Sequence, residues 1–412
     1  MAQQALERYR ILDFGRVMAG PLCGGILADM GAEVIKVESR VHMETGRRGR
    51  PVVGEDIAGG DMGKWPEMQP AFHTLNRNKL SITLDFTKPK SIALLRRLAA
   101  ISDVVTENFA PGVMDRLGLG YRELSSANPS LVYLAMSGPG QTGPLKHIVG
   151  YATANQALSG FSSFLGYEDG KVLGTMQAAY ADVSAAIFGA SAICAALFQR
   201  NRTGRGSYID FSQWENLVNV EGAPLADYFL NGRIATPHGN EHQTLAPHGN
   251  YHCKGADKWI SIGVANEAEW RGLCEGLTRP EWVNDSRFAN ARLRRKHRRE
   301  LDAFINESTV SWEARELTQR LQQYGVAAAP LATIEDQIFD PHHKARGTFL
   351  EVNHPLVGYE VQPGFPLRLS ATPGSYRRHA PTLGNGNSYV FCEQLGLSPD
   401  DLDALATEGV VA

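Results

Sequence analysis

A short apolar run, Arg10-Ile-Leu-Asp-Phe14, is followed by a turn with glycine at 15 and 20, then by an apolar stretch of helical spacing from Pro21 to about Met30. Gly31 ends that helix, and Ala32-Glu-Val-Ile-Lys-Val-Glu38 reads as a second buried strand. Strand, helix, strand over about forty residues is one βαβ unit, since parallel neighbours need a crossover. The alternation returns with strands at Ser81–Asp85, Asp103–Glu107 and Leu131–Ala135 and a helix at Ser91–Ile101. The predicted fold class is α/β: a Rossmann-like, doubly wound parallel sheet in a large domain, plus a smaller α+β domain.

From Asp182 to Gln199 runs a helix of small and apolar residues, apolar all round and therefore predicted to be buried. A strand at Tyr208–Phe211 and a helix to about Asn231 follow. The polar stretch Gly232 to Asn250, with Pro237 and Pro247, predicts an interdomain crossing. Strand Trp259–Val264 opens a smaller unit that ends near Tyr324. The expected boundaries are 1–215 for the first part of the large domain, 216–250 for a linker, 251–325 for the small domain and 326–412 for a return to the large one. Gly46 to Gly63, rich in glycine and charge, predicts a long functional loop without fixed structure.

The 412 residues are 43% hydrophobic, enough to bury two cores. Lys and Arg number 41 against 44 Asp and Glu, so no whole-molecule field marks the chain for nucleic acid or an anionic membrane, and anion binding must be local. No unbroken run of eighteen apolar residues occurs, and the opening MAQQALERYR lacks an apolar core and a cleavage signal. Five scattered cysteines without a CxxC pair fit reduced thiols. The expectation is a cytoplasmic protein that binds neither nucleic acid nor membrane.

Taken singly, the chemistry-bearing residues have plain structural readings. Asp182 heads the apolar helix, where a carboxylate serves as an ordinary N-cap; catalysis is the other reading. His238, His242, His248 and His252 lie close together, but prolines and glycines break any helix that could align them on a metal, and a polar linker with no metal is expected. The basic run Arg292 to Arg299 reads as a solvated helix face. Glu38 could hold a ribose in a dinucleotide fold, yet Gly15 to Gly25 contains no GxGxxG.

Seven segments carry a resemblance: Arg16-Val-Met-Ala-Gly-Pro21, Gly31 to Glu38, Asn76-Arg-Asn-Lys79, Glu107-Asn-Phe-Ala-Pro-Gly112, Arg116-Leu-Gly-Leu-Gly-Tyr121, Ser137-Gly-Pro-Gly-Gln-Thr-Gly-Pro144 and Thr203-Gly-Arg-Gly206. In order and spacing, from about Arg10 to the final helix, the chain resembles the class III CoA-transferases, the CaiB/BaiF family that includes formyl-CoA transferase and succinate-hydroxymethylglutarate CoA-transferase. The resemblance implies a large domain built from both ends of the chain and a homodimer of two interlocked subunits. It also implies a nucleophilic role for Asp182, in Ala178-Ala-Tyr-Ala-Asp-Val-Ser184. The carboxylate needs no general base, because an aspartate ionises near ~4. No permanently bound cofactor is expected, coenzyme A and acyl-CoA being substrates.

For CoA the resemblance implies contacts from Arg116, Asn108, Phe109 and Met18. Leu84 and Lys88 fall near a family adenine and phosphate pair, the lysine displaced by one residue, and Arg40 stands one position beyond the usual arginine. Arg16 is expected to meet a second substrate carboxylate or to hold local structure, and Tyr151 to touch substrate. The four-glycine run of formyl-CoA transferase is absent, which argues against formyl-CoA and oxalate. Racemases of the same superfamily use a histidine where this chain has Gly150-Tyr-Ala-Thr153, so a two-base exchange lacks one base. A non-catalytic CoA-binding subunit is a further alternative, against which Asp182 stands. Ala152 replaces a common acidic residue, and Leu383-Gly-Asn-Gly-Asn387 departs from the usual Gly-Glu-His-Thr. The expected reaction is transfer of CoA from succinyl-CoA or another small dicarboxylyl-CoA to a small carboxylic acid.

Overall fold

The computed structural model describes residues 3–49, 59, 61–174 and 179–411. Most of the glycine-rich loop predicted at 46–63 lies outside the described residues, as does Ala178.

Six parallel strands form the large sheet: β1 (Arg10–Asp13), β2 (Glu33–Glu38), β3 (Leu80–Thr83), β4 (Val104–Glu107), β5 (Val132–Ser137) and β6 (Ser207–Ser212). Their order is β3-β2-β1-β4-β5-β6, a doubly wound arrangement whose order reverses between β1 and β4. Successive side chains point to opposite faces. Leu12 and Ile35 accordingly join the core with Leu95, Leu98 and Phe391, while Ile11 and Val34 join one with Leu27 and Ile193. The strands are near-continuous apolar runs because helices cover both faces. Helix α1 (Ala19–Asp29) covers one, and α2 (Pro70–Asn76) and α3 (Pro89–Ala100) follow in the chain.

After the short helices α4 (Val113–Arg116), α5 (Tyr121–Ala127) and α6 (Ala152–Leu158) comes α7 (Tyr180–Thr203), ended by Gly204 in the left-handed conformation. By length and composition α7 could cross a membrane. It instead lays Ala185, Gly189, Ile193 and Ala196 against α1 and the sheet. A Cβ on Gly189 would come within 2.7 Å of Met136 Cε and 3.4 Å of Cys23 Sγ, which is why a small residue stands there. The prediction of burial all round needs correcting, since Ile187, Phe188 and Phe198 on the other face are exposed. Small residues let the helix approach the sheet, and the large ones point away.

The edge strand β3 has unpaired N–H groups that invite another strand. Asn385 Oδ1 accepts from Ser81 N at 2.9 Å and Asn387 Oδ1 from Thr83 N at 3.0 Å, so the Leu383–Asn387 segment caps that edge with side chains.

Contacts divide the chain into two compact units: Met1–Phe161 with Thr175–Gly232 and His342–Ala412, and Ser162–Gly174 with Arg233–Pro341. Helices α8 (Gln213–Val220) and α9 (Gly222–Asn231), placed in the expected 216–250 linker apart from its first residues, belong to the large unit. The return to the large unit comes at His342, later than 326. The reason is that β9 (Ala327–Pro330) pairs with β8 (Trp259–Gly263), which also pairs with β7 (His248–His252). Beneath that antiparallel sheet Trp270, Phe288, Leu301, Leu317 and Leu321 form the small unit's own core.

Candidate active site

In a doubly wound sheet the crevice forms at the carboxyl ends of the strands where their order reverses. Here the segments leaving β1, β4 and β5 meet in a cavity of about 140 Å³. Val17 and Met18 come from the first, Asn108 and Phe109 from the second, Ser137 and Gly138 from the third; Tyr151, Asp182 of α7 and Gln213 of α8 complete the wall. Five of the sequence-predicted site residues, Asp182, Met18, Asn108, Phe109 and Tyr151, therefore share one space.

The loop after β1 is held by paired bonds. Asn108 Oδ1 accepts from Arg16 N at 2.8 Å, and Asn108 Nδ2 donates to Arg16 O at 2.9 Å. That grip holds Val17 at a φ of 66°, a left-handed conformation that costs a β-branched residue on the order of 1–3 kcal/mol. Gly20 is needed beneath it, because a Cβ there would stand 2.6 Å from Gly15 Cα and 2.9 Å from Asn108 Oδ1. The guanidinium of Arg16 donates to His42 O and Met43 O, both at 2.9 Å. Of the two readings for Arg16, the geometry thus places it in local structure.

Under the loop lies a buried ionic cluster. Lys79 Nζ meets Asp13 Oδ2 at 2.8 Å and also donates to Pro21 O at 2.7 Å, while Lys36 Nζ pairs with Glu44 at 2.7 Å and donates to Gly15 O at 2.7 Å. Burial by itself would push Asp13 up, but the Lys79 and Lys36 charges hold it below the usual carboxylate range.

Asp182 lies in the first turn of α7, half-buried; the N-cap position falls to Ala179, which makes no side-chain cap bond. The plain capping reading of Asp182 is thereby displaced by three residues. Burial pushes its carboxyl up to about 6, opposed by a hydrogen bond from Gln213. At neutral pH it is still mostly the anion, and more basic than an exposed aspartate. Ala152 packs with Ala181 and Leu217 in a small apolar cluster, so no second acid stands at that position. The hydroxyl of Ser137 is buried and has no hydrogen-bond partner among the described residues.

A second, more open cavity of about 390 Å³ is lined by Lys88, Arg96 and Arg116 together with Phe86 and Ile92. It gathers three cations around an apolar floor, and the segment Asn108–Arg116 links it to the first cavity along the chain. Two sequence-predicted contacts lie elsewhere. Leu84, the residue after β3, is 1% exposed in the core, and its side chain lines neither cavity. Arg40 is exposed and lines neither. Of the four clustered histidines, His248 and His252 stand on β7, and the His252 ring lies 3.5 Å from that of Trp259. Sequence reasoning missed Gln213, Asn155 and Trp214, which meet behind Asp182.

The chain belongs to CoA-transferase family III, whose match spans residues 6–387, and it is therefore an enzyme of the CoA-transferase class. It is 34% identical over 406 residues to the succinyl-CoA--D-citramalate CoA-transferase of Chloroflexus aurantiacus, covering 98% of each chain. It is 35% identical over 394 residues to the succinate--glutarate CoA-transferase of Agrobacterium fabrum, covering 94% of this chain and 95% of the relative. Its structure matches that of a CaiB/BaiF family protein from Brucella suis with a TM-score of 0.84 and 31% identity, over 95% of this chain and 99% of the other.

Proposed function

We propose that the protein moves CoA from succinyl-CoA to a small dicarboxylic acid, with Asp182 as the group that is transiently acylated. The observation that carries this reading is a half-buried carboxylate, the single one among the described residues that line the cavity, together with Met18, Asn108 and Phe109. The carboxylate of Asp182 attacks the thioester carbonyl and expels CoA thiolate, leaving a mixed anhydride. The thiolate attacks the aspartyl carbonyl of that anhydride, which releases succinate and leaves an aspartyl-CoA thioester. The acceptor acid then enters through the same two steps in reverse. Each addition places negative charge on oxygen, and the unpartnered Ser137 hydroxyl is suited to donate to it. The relatives named for citramalate and glutarate support a dicarboxylate acceptor. Incubation with succinyl-CoA and a panel of dicarboxylates should yield new thioesters, and no transfer to any acid would refute the reading.

The cationic cavity is assigned to the nucleotide phosphates. Arg116→Ala and Lys88→Ala should each raise KM for the acyl-CoA by roughly 5- to 30-fold, the cost of one charged phosphate contact, with kcat little changed. Steady-state kinetics at rising ionic strength check this, since the gap from wild type should narrow as salt screens the site. The protein is further proposed to work as a homodimer in the cytoplasm. Phe229 and Leu230 on α9, 79% and 81% exposed in the single chain, support a covering partner, and the five free thiols support a reducing compartment.

A further inference from the structure

Behind Asp182 three side chains are joined end to end. Trp214 Nε1 donates to Asn155 Oδ1 at 2.8 Å, and Asn155 Nδ2 donates to Gln213 Oε1 at 2.6 Å. Gln213 in turn lines the same cavity as Asp182, and its side-chain amide favours the ionised form of that carboxyl. Asn155 and Gln213 are 2% and 5% exposed, so solvent does not complete their bonding.

The direction of every bond in this row follows from one end. An indole N–H can only donate, so the Asn155 atom facing it must be the carbonyl oxygen. The other Asn155 atom is then the amide nitrogen, which donates, and the Gln213 atom facing it must be oxygen. That leaves the Gln213 N–H group for Asp182, and a carboxylate can only accept. A primary amide turned half a circle keeps its shape, so without such an anchor either end of Gln213 could face Asp182. Turned the wrong way, its carbonyl oxygen would meet the carboxylate and repel it.

The backbone leaves room for this row. A Cβ on Gly138 would lie 2.7 Å from Asn155 Oδ1 and 3.3 Å from Trp214 Nε1, and one on Gly150 would lie 3.1 Å from the same oxygen. Both glycines stand in the segments that wall the Asp182 cavity. We propose that Asn155 and Trp214 are positioning residues for the transfer reaction, which fix the amide of Gln213 so that its N–H, and never its carbonyl, faces the attacking carboxylate. The inference rests on the reading of Asp182 as the acylated group.

Among the described residues the amide is the sole polar group acting on Asp182. Titratable groups on the elements around it, Cys23 on α1, Tyr133 on β5, Asp210 on β6, Glu215 on α8, Tyr180 on α7 and Tyr151 at the cavity mouth, exert no resolved influence on its carboxyl; burial and Gln213 alone do. Asp29, at the far end of α1, is held by Arg77. Because burial raises the carboxyl and the amide lowers it, loss of the fixed amide should raise it further and protonate the attacking group at higher pH.

The test is the pH dependence of kcat/KM for acyl-CoA in Asn155→Leu and Trp214→Phe, from about pH 5 to about 8.5. The acid limb of Asn155→Leu should move up by about one pH unit, the effect of one charge-assisted hydrogen bond, with a smaller move in the same direction for Trp214→Phe. Activity at pH ~6 should fall roughly fivefold, and near pH ~5 close to tenfold, while that at the top of the range approaches wild type. Trp214 is only partly buried, so its phenylalanine variant keeps the test open should Asn155→Leu fail to fold. Activity reduced evenly at every pH, with the limb unmoved, would overturn the positioning role and leave the Asp182 reading standing. Near-normal turnover in Asp182→Asn would overturn both.

Discussion

Asp182→Ala is expected to lose at least about 10³-fold in CoA transfer, because removing a nucleophile removes the covalent route and leaves only binding and orientation. The chain should still fold. Asp182 caps no helix, since that position belongs to Ala179, and its carboxylate forms no ion pair among the described residues. Its loss therefore strands one Gln213 N–H group at the edge of a cavity, where water can replace it. Binding of free CoA should persist within a few-fold, as the cationic cavity at Lys88 and Arg116 is untouched. Asp182→Asn keeps the shape and should be equally inactive. Thioester exchange measured by chromatography, with calorimetry for CoA and a melting curve for the fold, separates these effects. Hydroxylamine trapping during turnover should label the peptide that contains Asp182 in the native protein alone. A substituted protein within tenfold of native turnover would place the acylated group elsewhere.

The large sheet was legible because its strands are buried on both faces. Runs such as Leu131–Ala135 and Ala32–Glu38 carry too many apolar residues for a surface strand and are too short for a core helix, and each lies within a residue or two of an observed strand. The small sheet was harder. In β7, His248–His252, only Tyr251 is buried, so the strand reads as polar loop. Strand β9 is Ala327–Pro330, whose small side chains carry little periodic signal, and missing it moved the expected return to the large unit forward. Helix α7 misled in a different way: hydrophobicity reports what a side chain prefers, whereas Gly189 and Ala185 are inside because of their size and Phe198 is outside despite its preference. At the site, Asp182, Asn108 and Phe109 were found through their segments. The Trp214, Asn155 and Gln213 row was not, because 58 positions separate Asn155 from Gln213 and only the fold joins them. Arg16 likewise carries the charge expected of a carboxylate partner, and only its two carbonyl contacts reveal what it holds.

Lys79→Met should destabilise the protein by about 3–5 kcal/mol, the usual cost of leaving a buried charge without its partner. Lys79 and Asp13 are both fully buried, their atoms 2.8 Å apart, and Lys79 also holds Pro21 O and Asn76 Oδ1. Asp13 would keep Gly15 N and Thr106 Oγ1 as donors and the charge of Lys36 nearby, so the loss is less than that of an isolated buried anion. Because Asp13 binds the loop that carries Val17 and Met18, a strained φ at Val17 has to be maintained by a weakened frame. Activity should therefore fall before the fold does as urea is added, a separation that native protein should lack. Asp13→Asn combined with Lys79→Met removes both charges and should recover part of the stability, since an uncharged buried pair has far less hydration to lose. Urea midpoints of the two single variants and the double variant, taken as a cycle, measure this coupling. A Lys79→Met midpoint equal to that of native protein would mean that Lys36 alone suffices to hold Asp13 charged under the catalytic loop.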